Sequence, residues 1–234
     1  MSSSTWTPRA VASEAKPVEL ALWRAVEAQH VASTRRLVDS TAEQKVLEDV
    51  LERTKPRVTP ELARLHYLLS TPFRYPPGMH GSRFRSAADA GVFYAAEERR
   101  TACAEVGYWR WKFLSDSAGL GSLGPAPQTL FQVKVKGKGV DLRRKPFARD
   151  EAKWRHPTDY AATQAFARAA RAAPVALIRY ESVRDPQKGG CAVVLQPSAF
   201  ARRQPLGQQT WLLTVTRTAS AWQRDNESFE FRWA

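Results

Sequence analysis

Cysteine is scarce: only Cys103 and Cys191 occur in 234 residues, too few for a disulfide scaffold, and no Cys/His spacing matches a zinc site. The four histidines, His30, His66, His80 and His156, are scattered, so no metal is expected. No apolar run approaches the ~20 residues of a membrane span, and the opening MSSSTWTPRA holds no stretch of signal-peptide length. A soluble cytoplasmic protein with no membrane partner is therefore expected. Phosphate-binding loops and the GxGxxG, GxSxG and HExxH signatures are missing, which removes the common nucleotide-binding and hydrolase motifs. Acidic residues are outnumbered, 23 against 36 Lys+Arg. The net charge of +13 directs attention to anionic partners: nucleic acid, acidic protein surfaces or phosphorylated small molecules.

What is present suits one globular domain with a modest extension. Hydrophobic residues make up 43% and charged residues 25%, enough to bury a core. Residues 1–17, rich in Ser, Thr, Ala and Pro, read as a flexible leader; 18–200 form the main domain; 201–234 read as a C-terminal β-hairpin extension packed on it. Helices are predicted over 41–52, from Pro60 through Leu69, over 97–113, and from a Thr158 or Asp159 cap through Ala172. In the third, Ala102, Val106, Trp109 and Phe113 fall within an arc of about 60°, an apolar stripe. Strands are predicted at 91–95 and 130–135, at 175–180 with 191–195 as its hairpin partner across an Asp185–Gly190 turn, and at 210–216 and 229–233 as a terminal hairpin. The stretches 70–91 and 115–128 read as irregular, and 134–145 as a basic turn region. Without regular βαβ order the fold class is α+β, a mixed small sheet with surrounding helices.

Glu105 is the most informative residue, because it lies at the edge of the apolar stripe. A carboxylate there either pairs with one of the many arginines or stands in a cavity, since an unpaired buried charge is costly. Arg83 and Arg85, beside Gly81 and Ser82, have the composition that lets backbone and guanidinium approach a phosphate together; pairing with glutamates is the alternative. Arg24 follows apolar Leu22 and Trp23. Tyr94 sits in the apolar run Val92–Ala95, as core or pocket aromatic. Ser182, after the run 175–180, serves either a turn or a pocket. The tryptophans fall mostly on apolar faces and the basic residues form no continuous run, so direct nucleic-acid binding is not expected.

The blocks Leu22-Trp23-Arg24-Ala25-Val26, Gly81-Ser82-Arg83-Phe84, Gly91-Val92-Phe93-Tyr94-Ala95-Ala96 and Thr101-Ala102-Cys103-Ala104-Glu105-Val106 resemble the RES-domain family. Arg83, Tyr94 and Glu105 stand 11 residues apart, and looser matches follow at 159–164 and 180–184. The resemblance implies a fold like that of ADP-ribosyltransferases, with 18–200 as the catalytic domain. It implies a toxin of a toxin–antitoxin pair that degrades NAD by hydrolysis or phosphorolysis of the nicotinamide–ribose bond, without a metal. NAD, inorganic phosphate and an antitoxin with a helix-turn-helix domain are the implied partners. By the same resemblance Arg24 and Arg83 would hold the dinucleotide phosphates, Tyr94 would line the nicotinamide side and Glu105 would face the reacting ribose. Ser182 fits a family block, whereas Ala161 stands where some members carry a serine. Two other readings remain open: ADP-ribose transfer to a macromolecule, and a basic nucleic-acid-binding module in which Glu105 is structural.

Overall fold

Two long strands form the spine of the fold in a computed structural model that describes residues 6–28, 38–75 and 81–233. Strands β1 (Lys16–Glu27) and β3 (Ser122–Asp141) run antiparallel, from Lys16 opposite Gly139 to Glu27 opposite Gln128. Three short strands, β2 (Phe93–Ala96), β4 (Leu177–Glu181) and β5 (Gly190–Val194), complete a closed circuit. β1 meets β2 at Trp23–Ala96, β2 pairs with β5, β5 with β4, and β4 lies parallel to the end of β3. From the first half of β3 the sheet continues as the meander β6 (Gly207–Thr216), β7 (Ala219–Arg224) and β8 (Glu227–Arg232). The fold is α+β, as the sequence predicts.

The composition of β3 hid its length. The expected basic turn at 134–145 is strand as far as Asp141, because Val133 and Val135 face the core while Lys134, Lys136 and Lys138 alternate toward solvent. The expected loop at 115–128 is likewise strand from Ser122. Gly124, at φ +91°, and Pro125 are absorbed by a register shift between Leu123 and Ala126, where only glycine takes the backbone angle without strain.

Two boundaries change. Residues 6–17 are folded where a flexible leader is expected: α1 (Pro8–Glu14) is capped by Thr7, whose Oγ1 accepts from the Ala10 N–H. Val11 is fully buried, and the Trp6 ring lies 4.6 Å from Phe147 while its Nε1 donates to Asp150. Two apolar anchors outweigh the polar composition around them; residues 1–5 of that stretch lie outside the described residues. At the other end, 210–216 does not pair with 229–233. β7 lies between them, entered at 217–218 and left through the tight turn at Asp225, whose φ is +50°. The C-terminal strands thus continue the main sheet through β3.

α2 (Thr41–Thr54) forms as predicted, with Val46, Val50 and Leu51 exposed. The helix expected from Pro60 to Leu69 is broken into α3 (Pro60–Ala63) and α4 (Tyr67–Arg74), where His66 Nδ1 accepts from Leu68 N. α4 extends into the stretch read as irregular, of which 76–80 lie outside the described residues. α6 (Glu151–Trp154) precedes α7 (Ala161–Ala172), which ends just before Pro174; its N-cap is Tyr160, without a side-chain cap bond, and neither Thr158 nor Asp159, because the Asp159 carboxylate accepts from Ala161 N one residue early. The long helix α5 (Arg99–Asp116) packs against the sheet through Cys103, Ala104, Gly107 and Leu114. These small residues let it approach closely: a side chain at Gly107 would collide with Ser220. The predicted apolar stripe lies roughly 120° around the helix from this face and is not the buried side.

Candidate active site

A cavity of about 430 Å³ opens between α5, the start of the β1–β2 contact, and the Gly81–Arg83 segment. α5 supplies Ala102, Glu105, Val106 and Trp109, the spacing of one helix face. The stripe is therefore a cavity wall, with Glu105 among its members. Arg24 comes from β1, Tyr94 from β2, Arg83 from the loop, Tyr160 from the approach to α7 and Arg184 from beyond β4. The structure brings Arg24, Arg83, Tyr94 and Glu105 to one cavity, although Arg24 and Glu105 stand 81 positions apart in sequence. Ser182 lies behind it.

Glu105 has no ion-pair partner among the described residues, so the arginine-paired alternative does not hold. Its Oε1 accepts the Ser182 hydroxyl at 2.5 Å and lies 3.9 Å from Cys191 Sγ, while Oε2 makes no hydrogen bond among the described residues. Burial raises the Glu105 pKa; the Ser182 hydrogen bond and the charges of Arg83 and Arg184 work against that rise. Ser182 is fixed in turn, because its oxygen accepts from the Arg184 and Asp185 amides at 3.2 and 2.9 Å. Asp185 ties this turn to α5 by accepting from Thr101 and Arg100 one helical turn before Glu105. Although its own burial opposes ionisation, hydrogen bonds from Gln187, Arg100 and Thr101 hold Asp185 below the ordinary aspartate range.

The arginines are held by carbonyls. Arg83 donates to the Trp154 and His156 carbonyls at 2.9 and 3.0 Å and lies over the Tyr160 ring at 4.8 Å. Arg24 donates to the Tyr94 carbonyl at 2.6 Å, lies 4.7 Å over Phe93, and keeps a buried Nε without a hydrogen-bond partner. Burial lowers its pKa only to about 10, so it is cationic at neutral pH. Arg184 is buried, donates to the Pro157 carbonyl at 2.6 Å and lies 3.8 Å over Tyr108. Carbonyl partners orient a guanidinium without neutralising it, leaving three positive charges at the cavity wall.

Tyr94 has a different task from a simple pocket aromatic. Its hydroxyl is shared with Ser82 Oγ at 2.8 Å and accepts the Phe84 amide at 2.9 Å, clamping the loop that carries Arg83. α7 clamps it from the other side: Thr163 donates to the Arg83 carbonyl and Gln164 to the Ser82 and Arg85 carbonyls. Sequence reasoning singled out neither Arg184 nor Trp109 as a site residue. Arg184 had a signal, two positions beyond Ser182; Trp109 had one in the helix stripe itself, which marks an apolar face without saying that a cavity lies against it. No group of three His, Cys, Asp or Glu side chains converges as a metal site among the described residues.

A family model described as the RES domain matches residues 54–216. The fold is similar to a chain in the crystal structure of the M. tuberculosis MbcT–MbcA toxin–antitoxin complex, with a TM-score of 0.51 at 15% identity. The likeness covers 87% of this chain and 90% of that one. No curated protein matches the sequence.

Proposed function

Because the chain belongs to the RES-domain family, we propose that it cleaves the nicotinamide–ribose bond of NAD and acts as the toxin of a toxin–antitoxin pair. The observation that carries this reading is the buried, unpaired carboxylate of Glu105 sharing a cavity with Arg24, Arg83 and Arg184. As the C–N glycosidic bond breaks, its electron pair leaves with neutral nicotinamide and positive charge grows on the ribose ring. A carboxylate already fixed in a poorly solvated site lowers the energy of that state without reorganising. Ser182 holds Oε1, leaving Oε2 for the ribose. The guanidiniums hold the pyrophosphate in register, and water or inorganic phosphate then attacks the ribose carbon, releasing or retaining a proton accordingly.

A protein that destroys NAD needs a partner to silence it. The basic surface and anion-binding cavity suit an acidic covering protein, and an antitoxin with a helix-turn-helix domain is the proposed partner. Purified protein incubated with NAD, with and without phosphate, should release nicotinamide, and the mass of the other product identifies the acceptor. Intact NAD after prolonged incubation, with salt-dependent binding to DNA or RNA, would replace this reading by a nucleic-acid-binding one.

A further inference from the structure

The apolar stripe of α5 does not end with the cavity. Ala102 and Val106 line it, Trp109 lines it and is still 52% exposed, and Phe113, one turn further on, is 54% exposed. Helix geometry puts Trp109 about 6 Å and Phe113 about 12 Å beyond Glu105 along the axis. Two large aromatic side chains standing in solvent at the mouth of a charged cavity mark a binding surface. The indole is also held in place: Tyr108 meets it edge-on at 5.4 Å and itself packs against Trp111 and Trp233. Arg184 lies beside this ledge, 5.5 Å from the Trp109 ring.

Resting on the NAD-cleaving reading, we propose that Trp109 and Phe113 form a stacking ledge for the adenine base, the end of the dinucleotide distal to the scissile bond. The cavity volume, toward the low end of the ~300–1,000 Å³ typical of ligand sites, accommodates the nicotinamide riboside end and leaves the second nucleoside at the mouth. The order along the wall matches the order along the ligand. Glu105 meets the reacting ribose, Arg184, whose charge acts on Glu105 and which lies 5.5 Å from the Trp109 ring, meets the phosphates between them, and the aromatic ledge meets the base. A rigid, partly exposed indole gains most when a flat ring covers it, and a neighbouring guanidinium supplies the charge that a phosphate next to that ring requires.

The test separates the two halves of the ligand by competition against NAD cleavage. In the wild type, adenosine monophosphate and nicotinamide mononucleotide should each inhibit. Trp109→Ala should raise the KM for NAD and the inhibition constant of adenosine monophosphate by about ten- to a hundredfold, the scale of one lost base–aromatic stack. The inhibition constant of nicotinamide mononucleotide should move less than about threefold, which also shows that the variant is folded. Trp109→Phe should restore most of the loss, and Phe113→Ala should repeat it in weaker form. An equal effect on both inhibitors, no effect on either, or no inhibition of the wild type by adenosine monophosphate would overturn the ledge and assign the stripe to a protein surface. Wild-type protein that leaves NAD intact overturns the activity itself, and the ledge with it.

Discussion

At the residue scale the proposed chemistry turns on one carboxylate and the hydroxyl that holds it. In the proposed cleavage Glu105 acts as an anion, so activity should rise with pH as the group ionises. Burial raises its pKa, which places the acidic limb of the rate profile above the ordinary glutamate value of 4.5. Glu105→Gln removes the charge and keeps the shape, and should lower NAD turnover by ~100-fold or more. Ser182→Ala removes a hydrogen bond to the ionised form, so the limb should move to higher pH while turnover at neutral pH falls by roughly tenfold. A purely structural serine would leave the limb where it was. Mass spectrometry should find no ADP-ribosyl adduct on Ser182, since its proton is directed at Glu105 and no histidine among the described residues hydrogen-bonds to it.

At the element scale, the loop from Gly81 to Arg85 is placed by its neighbours. It carries Arg83, yet little of its own sequence dictates its shape, and β2 and α7 grip it from two sides. Gly81 permits the grip, because a Cβ there would lie 2.7 Å from the Arg85 carbonyl oxygen and 2.9 Å from Gln164 Nε2. Tyr94→Phe keeps the ring against the cavity but leaves the buried Phe84 amide without its acceptor, a local cost of about 1–3 kcal/mol. Faster hydrogen exchange at the Phe84 amide and a higher KM for NAD should follow, with kcat less affected. Unchanged exchange and unchanged KM would mean that the loop holds itself.

On the scale of the whole molecule, the N-terminal helix acts as a wedge of the core. Trp6 and Val11 close the cluster that contains Phe147, Trp154 and Phe166, the same packing unit that supports the carbonyls orienting Arg83. Trp6→Ala should lower unfolding stability by about 3–5 kcal/mol, read by denaturant or thermal unfolding, because it removes a buried indole together with its hydrogen bond to Asp150. A change within a few tenths of a kcal/mol would restore the segment to the status of a leader. The β6–β8 meander is equally integral: Trp211, Trp222 and Phe231 are buried against α5, the helix that bears Glu105.

The local patterns in the sequence determined the helices over 41–54, 99–116 and 161–172 and the pairing of 177–181 with 190–194. Their signals are short-range: apolar period, prolines and an Asp185–Gly190 turn. Glu105 was legible too, as a charge on an apolar stripe, and Arg24, Arg83 and Tyr94 were legible as family blocks. Which face of α5 meets the sheet was not, because amphipathicity marks an apolar face without saying whether a core or a cavity lies against it. Small residues at Cys103, Ala104 and Gly107 won the sheet contact by close approach, turning the larger side chains outward. The extent of β3 and the burial of Trp6 depended on strands and rings far away in sequence. Ser182 became a partner of Glu105 only when β4 and α5 met, since a hydrogen bond between positions 77 residues apart is decided by packing and not by spacing.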